Sequence, residues 1–245
     1  MRGLLTAIGF LTVMPVPASA QSGSFGRSAA WFPVVGALIG LALAGVDWCG
    51  RALWDPYVAA ALMIGVGIAF TGGLHIDGLM DTADALSSRR SRERMLEIMR
   101  DPRSGALGIA AGISVLALKF AAYAHLAGGE HWRVVVAAPV VGRLAVVIAL
   151  AVFPYAREAG TGASFAAQTR WGHAIAALLL AAAISYGVLG WHGLVLVGGG
   201  LVVALLGGLY VTGRLGGLTG DVYGAINELA EIVALLGGAA LISRQ

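Results

Sequence analysis

Seven long apolar runs dominate this chain of 245 residues and restrict it to one class of fold. A helix needs about 20 predominantly apolar residues to cross roughly 30 Å of hydrocarbon. Only 12% of the residues are charged, which is too little polar surface to cover such a core in water. The sequence therefore predicts an all-α polytopic membrane protein, with residues 1–245 as a single integral membrane domain. The predicted spans are 28–49, 56–74, 105–127, 132–154, 172–190, 193–213 and 220–242.

The first apolar run, residues 3–13, differs from the other seven because it is too short to cross a bilayer. Pro15 and Pro17 stop it, since proline cannot continue a helix. We expect a re-entrant or interfacial segment here. The alternative is a signal peptide, because Arg2 precedes the run and Ala18-Ser19-Ala20 has the pattern of a cleavage site.

The distribution of arginines predicts the orientation of the chain. With the spans above, ten of the 16 basic residues fall on the side that holds Arg27, and three (Arg51, Arg133 and Arg244) fall on the other. The positive-inside rule makes the Arg27 side cytoplasmic, and the longest polar segment, residues 75–104, is predicted to lie on that side. This asymmetry also accounts for the basic character of the chain, so we expect no nucleic-acid partner. The ten residues are Arg27, Arg89, Arg90, Arg92, Arg94, Arg100, Arg103, Arg157, Arg170 and Arg214.

An acidic helix face follows the second span. Asp77, Asp81 and Asp84 stand at i, i+4 and i+7, within about 60° of one another on a helix. Three carboxylates on one face repel each other unless a cation lies among them, and Mg²⁺ prefers oxygen ligands and leaves positions for substrate phosphates. The pattern predicts a Mg²⁺ site for a diphosphate substrate. The alternative is a solvated polar face, although such faces usually mix charge signs.

Two further features near this face are candidates for substrate chemistry. His75 precedes the acidic face and is either an acid–base group or a structural hydrogen-bonding residue. Arg100, Asp101 and Arg103 stand just before the glycine-containing start of the third span. Arginine forks beside free N–H groups of a helix start are typical of phosphate sites. The alternative for these arginines is that they only anchor the topology.

The last span carries acids inside the membrane. Asp221, Glu228 and Glu231 lie near one helix face, and intramembrane acids are functional candidates. Arg143 reaches about mid-depth in its own span. We expect Glu231 to form a structural ion pair with Arg143 and Glu228 to face the cytoplasmic site. Lys119 receives no role.

At this point the sequence resembles the cobalamin synthase family of adenosylcobinamide-GDP ribazoletransferases, and the resemblance covers nearly the whole chain. It extends through Pro15 and Pro17, which argues against cleavage of a signal peptide. Small departures are Ile76 where Glu is usual, Ala85 where Gly is usual, and Pro102 beside an arginine. The most specific parts are Gly72-Gly73-Leu74-His75-Ile76-Asp77-Gly78-Leu79 with Asp81-Thr82-Ala83-Asp84, and Gly217-Leu218-Thr219-Gly220-Asp221 with Glu228 and Glu231.

The resemblance implies transfer of adenosylcobinamide phosphate from adenosylcobinamide-GDP to α-ribazole or its 5′-phosphate, with release of GMP and with Mg²⁺ as cofactor. It implies a multi-pass protein of the bacterial inner membrane with its site facing the cytoplasm, either alone or as a homo-oligomer. The expected Mg²⁺ ligands are Asp77, Asp81 and Asp84. Asp84, Glu228 and His75 are the candidate proton-transfer groups. The expected phosphate or substrate contacts are Arg100, Asp101, Arg103, Arg214 and Asp221.

Two rival functions remain open from the residues alone. The motif of membrane phosphotransferases of the CDP-alcohol type also begins with Asp-Gly and carries an array of carboxylates. That motif has Ala-Arg at the position where this chain has Asp81-Thr82. A cation-coupled transporter would use charged residues at mid-depth, namely Glu228, Glu231, Arg143 and Lys119. No inverted repeat is evident in the sequence, and the acids cluster toward one side, which disfavours the transporter.

Overall fold

The computed structural model describes residues 2–17, 25–126, 131–157 and 160–242. Within these ranges the chain is helical and forms no β-strand. The helices are α1 (Arg2–Leu11), α2 (Phe25–Ala29), α3 (Phe32–Leu53), α4 (Pro56–Thr71), α5 (Leu74–Ser87), α6 (Arg92–Ile98), α7 (Ala106–His125), α8 (Trp132–Val152), α9 (Thr161–Gln168), α10 (Trp171–Leu189), α11 (Trp191–Leu215) and α12 (Gly220–Ile242).

The long helices confirm the predicted class of a polytopic all-α membrane protein. Six of them, α3, α7, α8, α10, α11 and α12, are long and apolar enough to cross a membrane. A seventh crossing results if α4 and α5 are taken together, although the pair is bent by 91°. We call the end of the bundle where α3, α7, α10 and α12 begin the arginine-rich end.

The second predicted span, 56–74, is interrupted in the structure. Helix α4 has 16 residues, which is about 24 Å at 1.5 Å per residue. It ends because Gly72 and Gly73 adopt left-handed backbone conformations with φ of 63° and 71°, a region that costs L residues roughly 1–2 kcal/mol. Helix α5 therefore leaves at a steep angle and packs against α12 and α7.

Helix α8 forms the centre of the bundle. Its apolar window is 94% buried, and α3, α10, α11 and α12 pack around it. Helix α3 approaches closely at Gly36, where a methyl group would lie 2.5 Å from the carbonyl oxygen of Pro139. This tightly packed centre fixes the position of α12, on which the candidate site depends.

The N-terminal helix α1 has ten residues, about 15 Å, and so does not cross the membrane, in agreement with the expected re-entrant or interfacial segment. It packs on α2 and α3, and the Phe10 ring lies 6.0 Å from Phe32 and 4.5 Å from Phe165. The candidate cleavage site at 18–20 lies outside the described residues.

Candidate active site

Two glycines bring α5 against the first turns of α12. A methyl group at Gly78 would lie 2.6 Å from the carbonyl oxygen of Asp221, and one at Gly224 would lie 2.9 Å from the carbonyl oxygen of His75. The two backbones can approach this closely only because both positions lack a side chain. The contact places the acidic face of α5 beside Asp221, so that acids from the two segments singled out in the sequence lie together.

A pocket of about 280 Å³ opens beside this contact at the arginine-rich end. Part of its wall is apolar and includes Phe32, Val146 and Phe165. Its polar groups come from α5, from the loop after α8, and from the start of α12. These polar residues are His75, Asp77, Tyr155, Arg157, Asp221 and Tyr223.

Arg157 is the functional candidate that the sequence did not reveal, because it counted only toward the topology. Its Nη2 donates a hydrogen bond to Oδ2 of Asp221 at 2.7 Å. The loop that carries it is fixed, since the N–H of Ala156 donates to the Leu218 carbonyl and the N–H of Leu218 donates to the Pro154 carbonyl, both at 2.8 Å. A guanidinium is thus held at the pocket, and no local motif marked it.

The acids at this contact carry uncompensated negative charge. The pKa of the Asp81 carboxyl is raised to about 6, first by burial and then by the negative charges of Asp77, Asp221 and Asp84, while Arg157 acts in the opposite direction. Asp77 is exposed on the pocket side. Such a cluster favours a cation or the positive part of a ligand.

Asp84 makes contacts that the sequence did not predict. Its two carboxylate oxygens accept hydrogen bonds from the N–H groups of Gly105 at 2.6 Å and Gly108 at 2.7 Å. It therefore caps the start of α7, where a negative charge is favourable. Helical spacing placed it on the acidic face, but the neighbouring helix start uses one acceptor site on each of its two oxygens.

This occupation of Asp84 bears directly on the predicted Mg²⁺ site. The described residues contain no group of three or more His, Cys, Asp or Glu side chains arranged to hold a metal ion. The three-carboxylate ligand set of Asp77, Asp81 and Asp84 stays a prediction. Mg²⁺ usually binds one or two carboxylates and completes its shell with water and substrate phosphates, and Asp77 and Asp81 fit that requirement.

The predicted phosphate contacts outside α12 lie away from the pocket. Arg103 donates to Asp101 at 2.8 Å, with side chains that are 87% and 37% exposed, and this arginine lowers the pKa of the Asp101 carboxyl to about 2. Arg100 is exposed, and the Arg214 guanidinium lies 5.3 Å from the ring centre of Tyr210. None of these four is among the described residues lining the pocket. Asp221 is the predicted contact that the structure places there.

A buried network of charged side chains lies deeper in the bundle. Lys119 Nζ lies 2.7 Å from both Glu228 and Glu231, and Arg143 pairs with Glu231 as predicted. Asn227 donates to Glu231 at 3.0 Å. Glu228, expected to face the cytoplasmic site, lines the inner part of the bundle beside Lys119, to which the sequence had assigned no role. The predicted pair of Glu231 and Arg143 left the second glutamate of this span, Glu228, without a basic side chain beside it, and that imbalance was the signal that a further basic residue was needed.

His75 lies between these two regions. It is 5% exposed, and it lines both the pocket and an inner cavity with about 50 Å³ of space, which borders Lys119, Arg143 and Glu228. That space has room for about three to five water molecules. Among the three predicted proton-transfer groups, His75 is the one that borders the pocket without being committed to an ion pair or a helix cap in the described structure.

Comparison with known proteins gives consistent similarities along the chain. The cobalamin-5-phosphate synthase family matches residues 3–239. A protein of Roseiflexus sp. (strain RS-1) named adenosylcobinamide-GDP ribazoletransferase is 43% identical over 233 residues, covering 94% of this chain and 86% of the relative. Proteins with that name from Desulfitobacterium hafniense (strain Y51) and Chlorobium chlorochromatii (strain CaD3) are 40% and 37% identical, each covering 99% of this chain and 98% of the relative. No solved structure matches the chain.

Proposed function

The chain belongs to the cobalamin-5-phosphate synthase family and is a transferase, and on that premise we propose its reaction. The donor is adenosylcobinamide-GDP and the acceptor is α-ribazole or α-ribazole 5′-phosphate. The products are adenosylcobalamin or its 5′-phosphate, together with GMP. We further propose that the arginine-rich end faces the cytoplasm of a bacterial inner membrane, as the positive-inside rule predicts.

The observation that carries this proposal is the meeting of α5 and α12 at one pocket. Asp77 and Asp81 come from one helix, and Asp221 with its partner Arg157 comes from the other side of the contact. Transfer between a diphosphate and an alcohol depends on positioning and on electrostatic stabilisation of phosphate oxygens. An acidic face for a metal-bound diphosphate, next to a fixed guanidinium, supports that chemistry.

We assign metal binding to Asp77 and Asp81, with substrate phosphates completing the shell. Mg²⁺ bound there would polarise the diphosphate and neutralise charge on the departing phosphate. Arg157 presents N–H donors to non-bridging oxygens, and its pairing with Asp221 holds it in place for this role.

The group transfer itself exchanges one phosphorus–oxygen bond for another. The ribose hydroxyl of the acceptor attacks the phosphorus that carries the cobinamide, the bond from that phosphorus to the GMP oxygen breaks, and GMP leaves. The hydroxyl proton needs an acceptor at the pocket. We assign that role to His75, because Asp84 and Glu228 are engaged in other bonds. Burial and the charges of Arg143 and Lys119 lower the pKa of the His75 imidazole, so it is neutral and able to accept a proton.

The test is GMP release by the detergent-purified chain given adenosylcobinamide-GDP and α-ribazole, with Mg²⁺ or with EDTA. We expect release only when both substrates and the metal are present. Asp77→Asn should abolish release while the protein remains folded. The matched control is Glu97→Gln, an exposed carboxylate at the same end of the bundle that pairs with Arg94 at 2.7 Å, which should retain turnover.

Each alternative has its own outcome in the same experiment. GMP release in EDTA contradicts the metal assignment, and release without α-ribazole indicates hydrolysis in place of transfer. If a folded sample releases no GMP, CDP-diacylglycerol with an alcohol acceptor is run beside it, and turnover there favours the rival phosphotransferase. If neither assay shows turnover and the protein takes up substrate into liposomes, the transporter is favoured.

A further inference from the structure

A second depression, of about 690 Å³, lies at the arginine-rich end. Its wall comes from the end of α5, the loop after it, the start of α6 and the last turn of α11. None of its described lining residues is acidic, and it shares no lining residue with the candidate active site. The residues that matter here are Arg89, Arg90, Arg92, Arg214, Tyr210 and Gly213.

The four arginines of this depression are brought together by the fold. Arg92 Nε donates to the carbonyl oxygen of Leu215 at 2.6 Å, and Arg214 lies over the Tyr210 ring. Arg89 has a left-handed backbone with φ of 50°, which is uncommon for a residue other than glycine. The adjacent acid, Glu93, is hydrogen-bonded to Ser91 and to its own backbone. The cluster therefore presents positive charge that favours an anionic partner.

An exposed apolar stripe runs along α11 into the depression. Val202, Leu206, Leu209 and Tyr210 follow one another at helical spacing, and each is more than half exposed. Gly213 continues the stripe, and a methyl group there would meet open space. Because α11 is one of the spanning helices, the stripe leads from the membrane interior directly to the arginines.

We propose that this depression binds the phosphate headgroup of an anionic phospholipid, with an acyl chain along the α11 stripe. Arginine forks match phosphate oxygens, and an apolar stripe joined to the same cluster fits a ligand that has both parts. A soluble phosphate compound would use the arginines and leave the stripe uncovered. The site is separate from the catalytic pocket, so it does not depend on the proposed reaction.

The experiment titrates the delipidated, detergent-purified full chain with phosphatidylglycerol or phosphatidylcholine of the same acyl chains, and counts bound lipid by native mass spectrometry. We expect one tightly bound phosphatidylglycerol per chain, and binding of phosphatidylcholine that is at least tenfold weaker. R90A/R214A should weaken phosphatidylglycerol binding by roughly 25-fold, at about fivefold for each arginine near the headgroups. R27A/R94A is the matched control, because it removes two exposed arginines of the same end from outside the depression.

Four results would overturn the proposal. They are equal binding of the two lipids, an equal loss in R27A/R94A, displacement of the lipid by inorganic phosphate or GDP, and equally tight binding of deacylated glycerophosphoglycerol. The last two would identify a site for soluble phosphates. If R90A/R214A does not fold, R89A/R90A leaves α11 unchanged and should reproduce the loss; retained binding there contradicts the proposal.

Discussion

Two acidic regions of this molecule both place carboxylates beside basic side chains but differ in charge balance. In the buried network, Glu228 and Glu231 meet Lys119 and Arg143, so two negative side chains face two positive ones. At the pocket, the acids of α5 and Asp221 meet one guanidinium, that of Arg157. The network lies deep in the bundle, whereas the pocket opens at its end.

The difference follows from the surroundings of each region. An unpaired charge in a low-dielectric interior is strongly unfavourable, so deep acids persist only with partners. Near water, surplus carboxylates are tolerated and remain available for a ligand. Charge balance therefore separates the acids that maintain this fold from the acids that we propose bind a ligand.

The substitution with the largest expected effect on stability, and so the strongest test of this comparison, is Glu231→Gln. The change leaves Arg143 without its carboxylate partner in the interior, so we expect a loss of about 3–5 kcal/mol in the free energy of unfolding. Denaturant titration in detergent measures it. Glu97→Gln removes one partner of an exposed pair at the surface and should cost about 1 kcal/mol or less. Equal stability of the two variants would show that the network is not structural.

The second test is Asp81→Asn in the unbalanced region. Removing one of several repelling carboxylates should leave stability unchanged or slightly increased. Turnover should fall at least 100-fold, which corresponds to about 2.7 kcal/mol of transition-state stabilisation. GMP release and denaturant titration on the same preparation measure both effects. A loss of stability like that of Glu231→Gln would place Asp81 with the structural acids.

The smallest expected effect is at Asp84, which belongs to the acidic face by spacing and to the structural acids by its contacts. Asp84→Asn keeps one acceptor oxygen for the start of α7, so we expect a loss of about 1 kcal/mol in unfolding free energy. Turnover should fall less than tenfold. A fall as large as that of Asp81→Asn, with stability unchanged, would return Asp84 to the metal site.

The spans of the fold were predictable because each is a local property of the sequence. Apolar run length gives the crossings, and arginine counts distinguish the two ends. The second span was predicted to end at residue 74, close to the observed end of α4 at Thr71, but hydropathy does not report the left-handed backbone at Gly72 and Gly73 that ends it. The neighbouring 75–104 segment was correctly expected to be polar, but its angle to α4 was not predictable.

The site was only partly predictable because helical spacing defines faces and does not define neighbours. It placed Asp77, Asp81 and Asp84 on one face, yet the N–H groups of Gly105 and Gly108 decide which of the three is free. Arg157 and Lys119 have no motif around them. Asp221, the partner of Arg157, lies 64 residues away in the sequence, and Glu231, a partner of Lys119, lies 112 residues away. Only tertiary packing brings these groups together.

The cap formed by Asp84 has a consequence for the rest of α5. The helix is held near its start by the close contact of His75 with Gly224 and near its end by two hydrogen bonds to α7. Asp77 and Asp81 therefore lie on a segment whose two ends are both fixed by contacts with neighbouring helices. Little conformational freedom is left for ligand binding to remove, so we expect a smaller entropic penalty than mobile carboxylates would impose.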